Sequence, residues 1–389
     1  MPEPSNSVWG PDWPEVRRRW ALDPEVAHLN HGSFGAVPKA VVAEQDRLRR
    51  EMEANPTGFF WRELNPLLDG ARQAAAQFLG AAPEGLAFVR NATTGVNAIL
   101  RSIPLEAGDE VLLTDHAYGA VKLTAERVCE ERGAVLRTQP VPLSSSTADL
   151  AEAVLAGVSP ATRVAIVDQV ASPTGLVFPV SEIVAALRRQ GIISLVDGAH
   201  APGTLDVRVE ELAADFWVGN FHKWVCAPRG AGALWATEEL RSLLRPVVTT
   251  YGIEEGFPAS FAWAGTDDYT AWLTVPAALD FLGSLGWDRL RHHNRVLADL
   301  GRSIVAAALG TAGDLPDFPH AAMSLVALPE GIADLPEEAR ALSEGIAEEL
   351  RVEVAVSAWN GRGYLRLSAF AYNCPADYQR LAVGLPGLL

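Results

Sequence analysis

Between residues 86 and 235 the chain alternates short apolar, β-prone runs with segments of helical length and spacing. The runs fall at 86–89, 110–114, 135–138, 164–170, 192–196, 214–218 and 232–235, with amphipathic segments near 95–104, 119–132, 147–157 and 181–190. Strands that are apolar throughout, rather than at every second residue, are buried on both faces and need helices to cover them. The pattern therefore specifies an α/β unit around a mainly parallel seven-stranded sheet. In such sheets the chemistry gathers at loops leaving the carboxyl ends of the strands.

The flanks complete the outline. A Gly-punctuated loop from Leu29 to Pro38 opens a helix over 38–54; Asn55-Pro56-Thr57-Gly58 reads as a turn, followed by the aromatic cluster Phe59-Phe60-Trp61 and a helix over 66–79. Ser144-Ser145-Ser146-Thr147 reads as a turn and a helix N-cap. Beyond Gly265 the texture changes to long helices, 268–285 and 287–309, then strands at 322–328, 352–357 and 363–369 with helices at 336–350 and 376–384. That is a smaller α+β unit. The expected division is an N-terminal arm over 1–24, a large domain over 25–285 and a small C-terminal domain over 286–389.

Composition removes several functions. A net charge of −16 disfavours nucleic acid and acidic membrane surfaces, and no apolar run approaches the ~18 residues of a membrane span. The first residues, Met1-Pro2-Glu3-Pro4, lack the basic and apolar regions of a secretory signal. Three scattered cysteines, Cys129, Cys226 and Cys374, show neither a disulfide framework nor metal-ligand spacing, so a reducing cytoplasm and no metal are expected. G-x-S-x-G, G-x-G-x-x-G and a lysine following glycine are all absent, which removes the usual marks of serine hydrolases, dinucleotide enzymes and P-loop NTPases.

What remains stands at strand ends. The chain has 32 Lys+Arg, yet only three are lysines: Lys39, Lys122 and Lys223. Lys223 follows an apolar strand, in Asn220-Phe221-His222-Lys223-Trp224. A lysine kept where arginine serves elsewhere suits a task that needs a neutral amine, such as attack on a carbonyl. Asp197-Gly198-Ala199-His200 closes another strand, and a buried carboxylate there needs a cationic or hydrogen-bonding partner. Arg90-Asn91-Ala92-Thr93-Thr94-Gly95 runs into a helix N-terminus, a fit for phosphate. Asp115-His116-Ala117-Tyr118 offers an imidazole or a phenol as a planar lid. Helix capping, surface exposure and aromatic packing account for each of these singly. Together they describe a pocket for pyridoxal 5′-phosphate (PLP), a cofactor that needs a lysine, an acid opposite its ring nitrogen and a phosphate cradle.

These residues, with Ser172-Pro173-Thr174-Gly175, Gly265-Thr266 and Arg366-Leu367-Ser368 followed by Tyr372-Asn373, resemble in content and order the fold type I PLP enzymes of the class V aminotransferase family. Leu29-Asn30-His31-Gly32-Ser33-Phe34-Gly35, Asn55-Pro56 with Phe59-Phe60, and Ser172 to Pro179 are most similar to its isopenicillin N epimerase-like subgroup, which includes C–S lyases. The resemblance spans about residues 25–375 and implies the PLP-dependent transferase (aspartate aminotransferase-like) fold and a homodimer with shared sites. It assigns Lys223 to the covalent bond with PLP, Asp197 to the ring nitrogen, His200 to the 3-oxygen, and His116 to stacking on the ring. Thr93, the amide of Thr94, Asn220, His222 and Ser172 are assigned to the cofactor, Thr266 to the phosphate of the neighbouring subunit, and Arg366 to the substrate carboxylate. Asn30 and His31 would line the substrate mouth, together with the Phe59-Phe60-Trp61 cluster. Asn220 replaces the family's usual serine.

No cysteine lies between Cys226 and Arg366, where desulfurases of the family carry their nucleophile. The resemblance therefore implies a PLP enzyme working at Cα and Cβ of an amino acid: a β-eliminating C–S lyase on a cysteine S-conjugate in specialised metabolism, with an epimerase, an aminotransferase or a decarboxylating enzyme as alternatives.

Overall fold

The structure is a computed structural model that describes residues 9–144 and 146–389. The first eight residues of the expected arm, and Ser145, lie outside the described residues.

All seven expected strands form one sheet: β1 Leu86–Val89, β2 Glu110–Thr114, β3 Val135–Gln139, β4 Thr162–Asp168, β5 Ile193–Gly198, β6 Phe216–Asn220 and β7 Gly232–Ala236. Their order is β1-β7-β6-β5-β4-β2-β3, and every pair is parallel except the two made by β7. Two strands run two residues further than their apolar residues suggest. β5 continues through Asp197 and Gly198, and β6 through Gly219 and Asn220, because backbone pairing carries polar residues past the apolar run. The polar groups therefore start on strands and not on free loops.

Helices cover both faces. On one side lie α1 (Lys39–Ala54), α2 (Leu64–Phe78), α5 (Thr147–Leu155) and α6 (Val180–Arg189), packed on Val196 and Trp217. On the other lie α3 (Ala92–Ser102) and α4 (Gly119–Arg132), packed on Leu195 and Val218. Asn91 caps α3 by accepting the Thr94 N–H at 2.8 Å, and Ser146 caps α5 in the same way through Asp149. In place of the expected turn at 55–58, Asn55 caps a short helix, Pro56–Gly58, and a π-helical turn at Phe59–Glu63 joins it to α2.

Further along come α7 (Val275–Leu285), α8 (Trp287–Leu309), β8 (Met323–Ala327), α9 (Pro336–Leu350), β9 (Ala355–Trp359), β10 (Arg362–Ser368) and α10 (Pro375–Gly384). β9, β10 and β8 make an antiparallel sheet in that order. The β9–β10 hairpin turns at Asn360 and Gly361, both at positive φ, as a two-residue hairpin requires. Its tip grips the loop after β2: Asn360 Nδ2 donates to Asp115 Oδ2 at 2.9 Å and Trp359 Nε1 to Asp115 O at 3.1 Å. The small sheet is thereby tied to the carboxyl edge of the large one.

Trp217 fixes the strand ends that matter. Its buried indole lies across Gly198 and Gly219 and donates to Gln169 Oε1 at 3.1 Å, joining β4, β5 and β6. A methyl group on Gly219 would overlap the indole. Gly219→Ala is expected to lower stability by about 1–3 kcal/mol, the usual range for overpacking, seen as a lower urea midpoint at unchanged slope.

Candidate active site

A cavity of about 470 Å³ opens at the carboxyl edge of β4, β5 and β6 and the N-terminus of α3. At one end stand Asn91, Ala92 and Thr93 with Asn220 and His222. Asn220 Oδ1 accepts the Ala92 N–H at 2.8 Å, so its amide nitrogen is available as a donor. His222 donates from Nδ1 to Ala231 O at 2.8 Å, leaving Nε2 free; burial brings its pKa down to about 4, so the ring is neutral. His222 Nε2 is then an acceptor and not a phosphate donor, but the helix N-terminus with Thr93 and the Asn220 amide beside it still suits a phosphate.

Lys223 lies at the floor, with Nζ 3.0 Å from His200 Nε2. The direction of that bond follows from the other ring nitrogen. Trp224 Nε1–H points at His200 Nδ1 at 3.2 Å, so Nδ1 accepts and the imidazole proton sits on Nε2. Nε2–H can donate only to an amine with a lone pair. That contact favours the neutral amine, and burial, reinforced by the charge of Arg366 and opposed by Asp197, brings the Lys223 pKa down to about 8. Asp197 is buried, accepts the Ala199 N–H at Oδ1 (2.9 Å) and lines the same cavity. Burial raises its pKa, the state of a carboxylate short of a cation.

Arg366, on β10, projects from the small sheet into a neighbouring space of about 240 Å³ that shares Ser33, Tyr118 and Ser172 with the main cavity. Its NH2 group donates to Ser33 Oγ at 2.7 Å and to Asn30 Oδ1 at 3.2 Å, and NH1 donates to Ser172 O. All these partners are neutral, Nε has none, and burial lowers the pKa to about 10. A buried guanidinium still charged at neutral pH, without a carboxylate beside it, is a site for an anion.

Four of the expected site residues sit elsewhere. His116 does not line the cavity: it is fully buried, donates from Nε2 to Val141 O (2.8 Å), meets Thr174 Oγ1 with Nδ1 (2.9 Å) and packs on Trp359. Both nitrogens are occupied, and it is Tyr118, two residues on, that faces the cavity. The Thr94 amide is consumed by the Asn91 cap, and its hydroxyl also bonds Asn91 Oδ1. His31 is buried behind the cavity, stacked on Phe370, accepting from Tyr372 OH (2.6 Å) and donating to Lys223 O (3.1 Å), so it braces the lysine's backbone. Thr266 is exposed in a surface loop, beside Asp267, which pairs with the cavity-lining Arg90.

Two groups were missed. Ser33 holds Arg366, and Asp168 lines the cavity at the register position beside Asp197. The signal for Asp168 is in the sequence: Ala-Ile-Val-Asp at 165–168 repeats Ser-Leu-Val-Asp at 194–197.

The class V aminotransferase family matches residues 35–381. The isopenicillin N epimerase of Streptomyces clavuligerus is 35% identical over 97% of this chain and 98% of its own length. A probable chloroplastic L-cysteine desulfhydrase of Arabidopsis thaliana is 30% identical over 94% of this chain and 84% of that protein. Among solved structures, a variant of C-DES with glycine covalently linked to its PLP cofactor has TM-score 0.80 at 21% identity, covering 95% of this chain and 98% of that one. The residues present fit PLP: a lysine of lowered pKa, a buried acid short of a cation, and a helix N-terminus with the Asn220 amide beside it.

A neutral amine captures PLP, so covalent capture by cofactor-free protein should speed up with pH to a midpoint near 8, against 10.5 for an unburied lysine. Removing the Arg366 charge with Arg366→Gln should move the midpoint up, and Asp197→Asn should move it down. Visible absorbance after rapid mixing reads both shifts.

Proposed function

From a chain that belongs to the class V aminotransferase family and uses PLP, we propose a β-eliminating C–S lyase acting on a cysteine S-conjugate, in the cytoplasm and in specialised metabolism. The observation that carries it is the Lys223 amine at 3.0 Å from His200, in one cavity with Asp197 and next to an Arg366 that is buried without a carboxylate partner. When bound, PLP supplies an electron sink for charge left at the substrate's Cα. The chain's residues supply the rest. Arg366 would take the substrate carboxylate through its free donors, with Ser33, Asn30 and Ser172 fixing the plane of the guanidinium. Lys223 Nζ would take the Cα proton, a step that needs its lone pair. Asp197 would hold the ring nitrogen, His200 Nε2–H the ring oxygen, Tyr118 the ring face, and Thr93 and Asn220 the phosphate.

Elimination asks least of this arrangement. One base suffices once the β-sulfur can leave as a thiol, and with water the conjugate becomes thiol, pyruvate and ammonia. Epimerisation needs a second proton donor on the opposite face of Cα, for which Tyr118 is the candidate. That second reading is favoured by the 35% identity to an isopenicillin N epimerase. The three thiols are unpaired, which supports the cytoplasm, and no helix among the described residues is long and apolar enough to cross a membrane.

We also propose a homodimer in which Thr266 reaches the partner's phosphate site; its exposure, with that of Tyr251, Val247 and Val248 in the loop whose Thr250 donates to Trp263 O, supports a second copy here. Sedimentation should give twice the chain mass, and Thr266→Ala should weaken PLP retention several-fold; a single-chain mass would remove the shared site.

Loaded enzyme given a panel of S-substituted cysteines should release pyruvate and ammonia in equal amounts, and Lys223→Ala should lose this by about 10²–10⁴-fold, the span of a positioned acid–base group. Deuterium uptake at Cα with inversion and no pyruvate would give the epimerase instead. An active Lys223→Ala enzyme would sink both readings.

A further inference from the structure

Asp168 ends β4, and Asp197 stands opposite it on the adjacent parallel strand β5, at the same register position. Paired residues on parallel strands project to the same face, and neighbouring strands lie about 4.8 Å apart. Both side chains line the main cavity, and only 3% and 4% of their surfaces are exposed. Their surroundings differ. Asp197 accepts the Ala199 N–H and feels the nearby charge of Lys223. The Asp168 carboxyl accepts no N–H from another residue and meets no Lys or Arg ion pair among the described residues.

Two carboxylates this close in a dry site do not both ionise; one proton stays with the pair. The neighbouring groups decide which acid keeps it. The Ala199 amide, which bonds Asp197 and not Asp168, favours the charged form of Asp197, so the proton belongs on Asp168. Burial first, and then the charge of Asp197, push Asp168 well above the usual carboxylate range, while Asp197 rises less.

We propose that Asp168 is a proton-carrying carboxyl group that donates its O–H to Asp197 and so sets how firmly Asp197 holds the ring nitrogen of PLP. It is a positioning residue, acting through Asp197. The donated hydrogen occupies one Asp197 oxygen and fixes the orientation of the carboxylate, leaving a single aimed acceptor for the ring N–H. The inference rests on the reading of Asp197 as the partner of that nitrogen.

The test uses holoenzyme carrying Asp168→Asn, Asp168→Val, Asp168→Ala or Asp197→Asn, with PLP affinity by equilibrium dialysis, the visible spectrum of bound PLP against pH, and thermal melting to establish folding. Asn keeps a neutral N–H donor toward Asp197 and should hold PLP within about twofold of the wild type; a hydrogen bond to a charged group is worth at least tenfold, so Val and Ala should weaken PLP by about that factor and displace the spectral pH midpoint. Ala serves where Val fails to fold. Wild-type affinity and spectrum in Val or Ala would make Asp168 filler and overturn the proposal. Loss in Asn as large as in Val would mean that a charge is needed there, and would overturn it too. If Asp197→Asn leaves affinity and spectrum unchanged, the reading of Asp197 falls and takes this one with it; if Asp197→Asn weakens PLP while Val and Ala do not, only Asp168 is refuted.

Discussion

A buried amine serves as nucleophile and base only while it stays unprotonated, and here one indole hydrogen helps to secure that. Trp224 donates to His200 Nδ1, which places the imidazole proton on Nε2 and aims it at Lys223 Nζ. An ammonium there would face another donor across 3.0 Å. Much of the surrounding packing maintains this chain of three groups. His31 donates to the Lys223 carbonyl, which fixes its tautomer, Phe370 stacks on His31, and Tyr372 donates to its other nitrogen. Trp9 and Trp20 of the N-terminal segment close the same cluster from outside. Aromatics far from the cavity thus bear on the protonation of one nitrogen.

The second requirement is a cation that stays unpaired. Arg366 arrives on a different sheet from Lys223, so the two are brought together only when the β9–β10 hairpin is seated. Asp115 seats it, taking the tip through Asn360 and Trp359 while its Oδ1 accepts the Val141 N–H. The same loop carries Tyr118 to the cavity. Holding the hairpin and presenting the phenol are therefore one structural act. His116, buried beneath the loop against Trp359, is the pillar of that joint rather than a stacking group.

The sheet was legible in the sequence because apolar runs and helical spacing are local signals, and the helices at 119–132, 287–309 and 336–350 coincide with α4, α8 and α9. Strand ends were less legible. Pairing extends β5 and β6 over polar residues that no apolar pattern marks, which is why Asp197 and Asn220 lie within strands. Within the site, chemistry that depends on residue type alone was readable: a scarce lysine, a strand-end acid, an arginine near the C-terminus. Which of two nearby rings reaches the cavity was not. His116 and Tyr118 are two residues apart on a loop, and the outcome turns on Val141 and Thr174, distant in sequence, which bond the imidazole. Thr94 was misassigned for a related reason: a cap by Asn91 and a phosphate contact compete for one amide.

Charge explains why so many neutral donors surround so few ions. His200 and His222 both line the cavity and both are pushed down by burial, so neither carries charge at neutral pH. An imidazolium in either place would lower the basicity of Lys223 further, or bind the phosphate at the expense of its own tautomer. Kept neutral, they act as fixed dipoles, whose orientation is set before any ligand arrives and costs nothing to rearrange. The mobile protons are then confined to Lys223 and the Asp168–Asp197 pair, on either side of where the cofactor ring would sit between amine and acid. A site arranged in this way can accept a proton at one point and keep charge constant at another, which is the condition for a carbanion to form at neutral pH without a strong base.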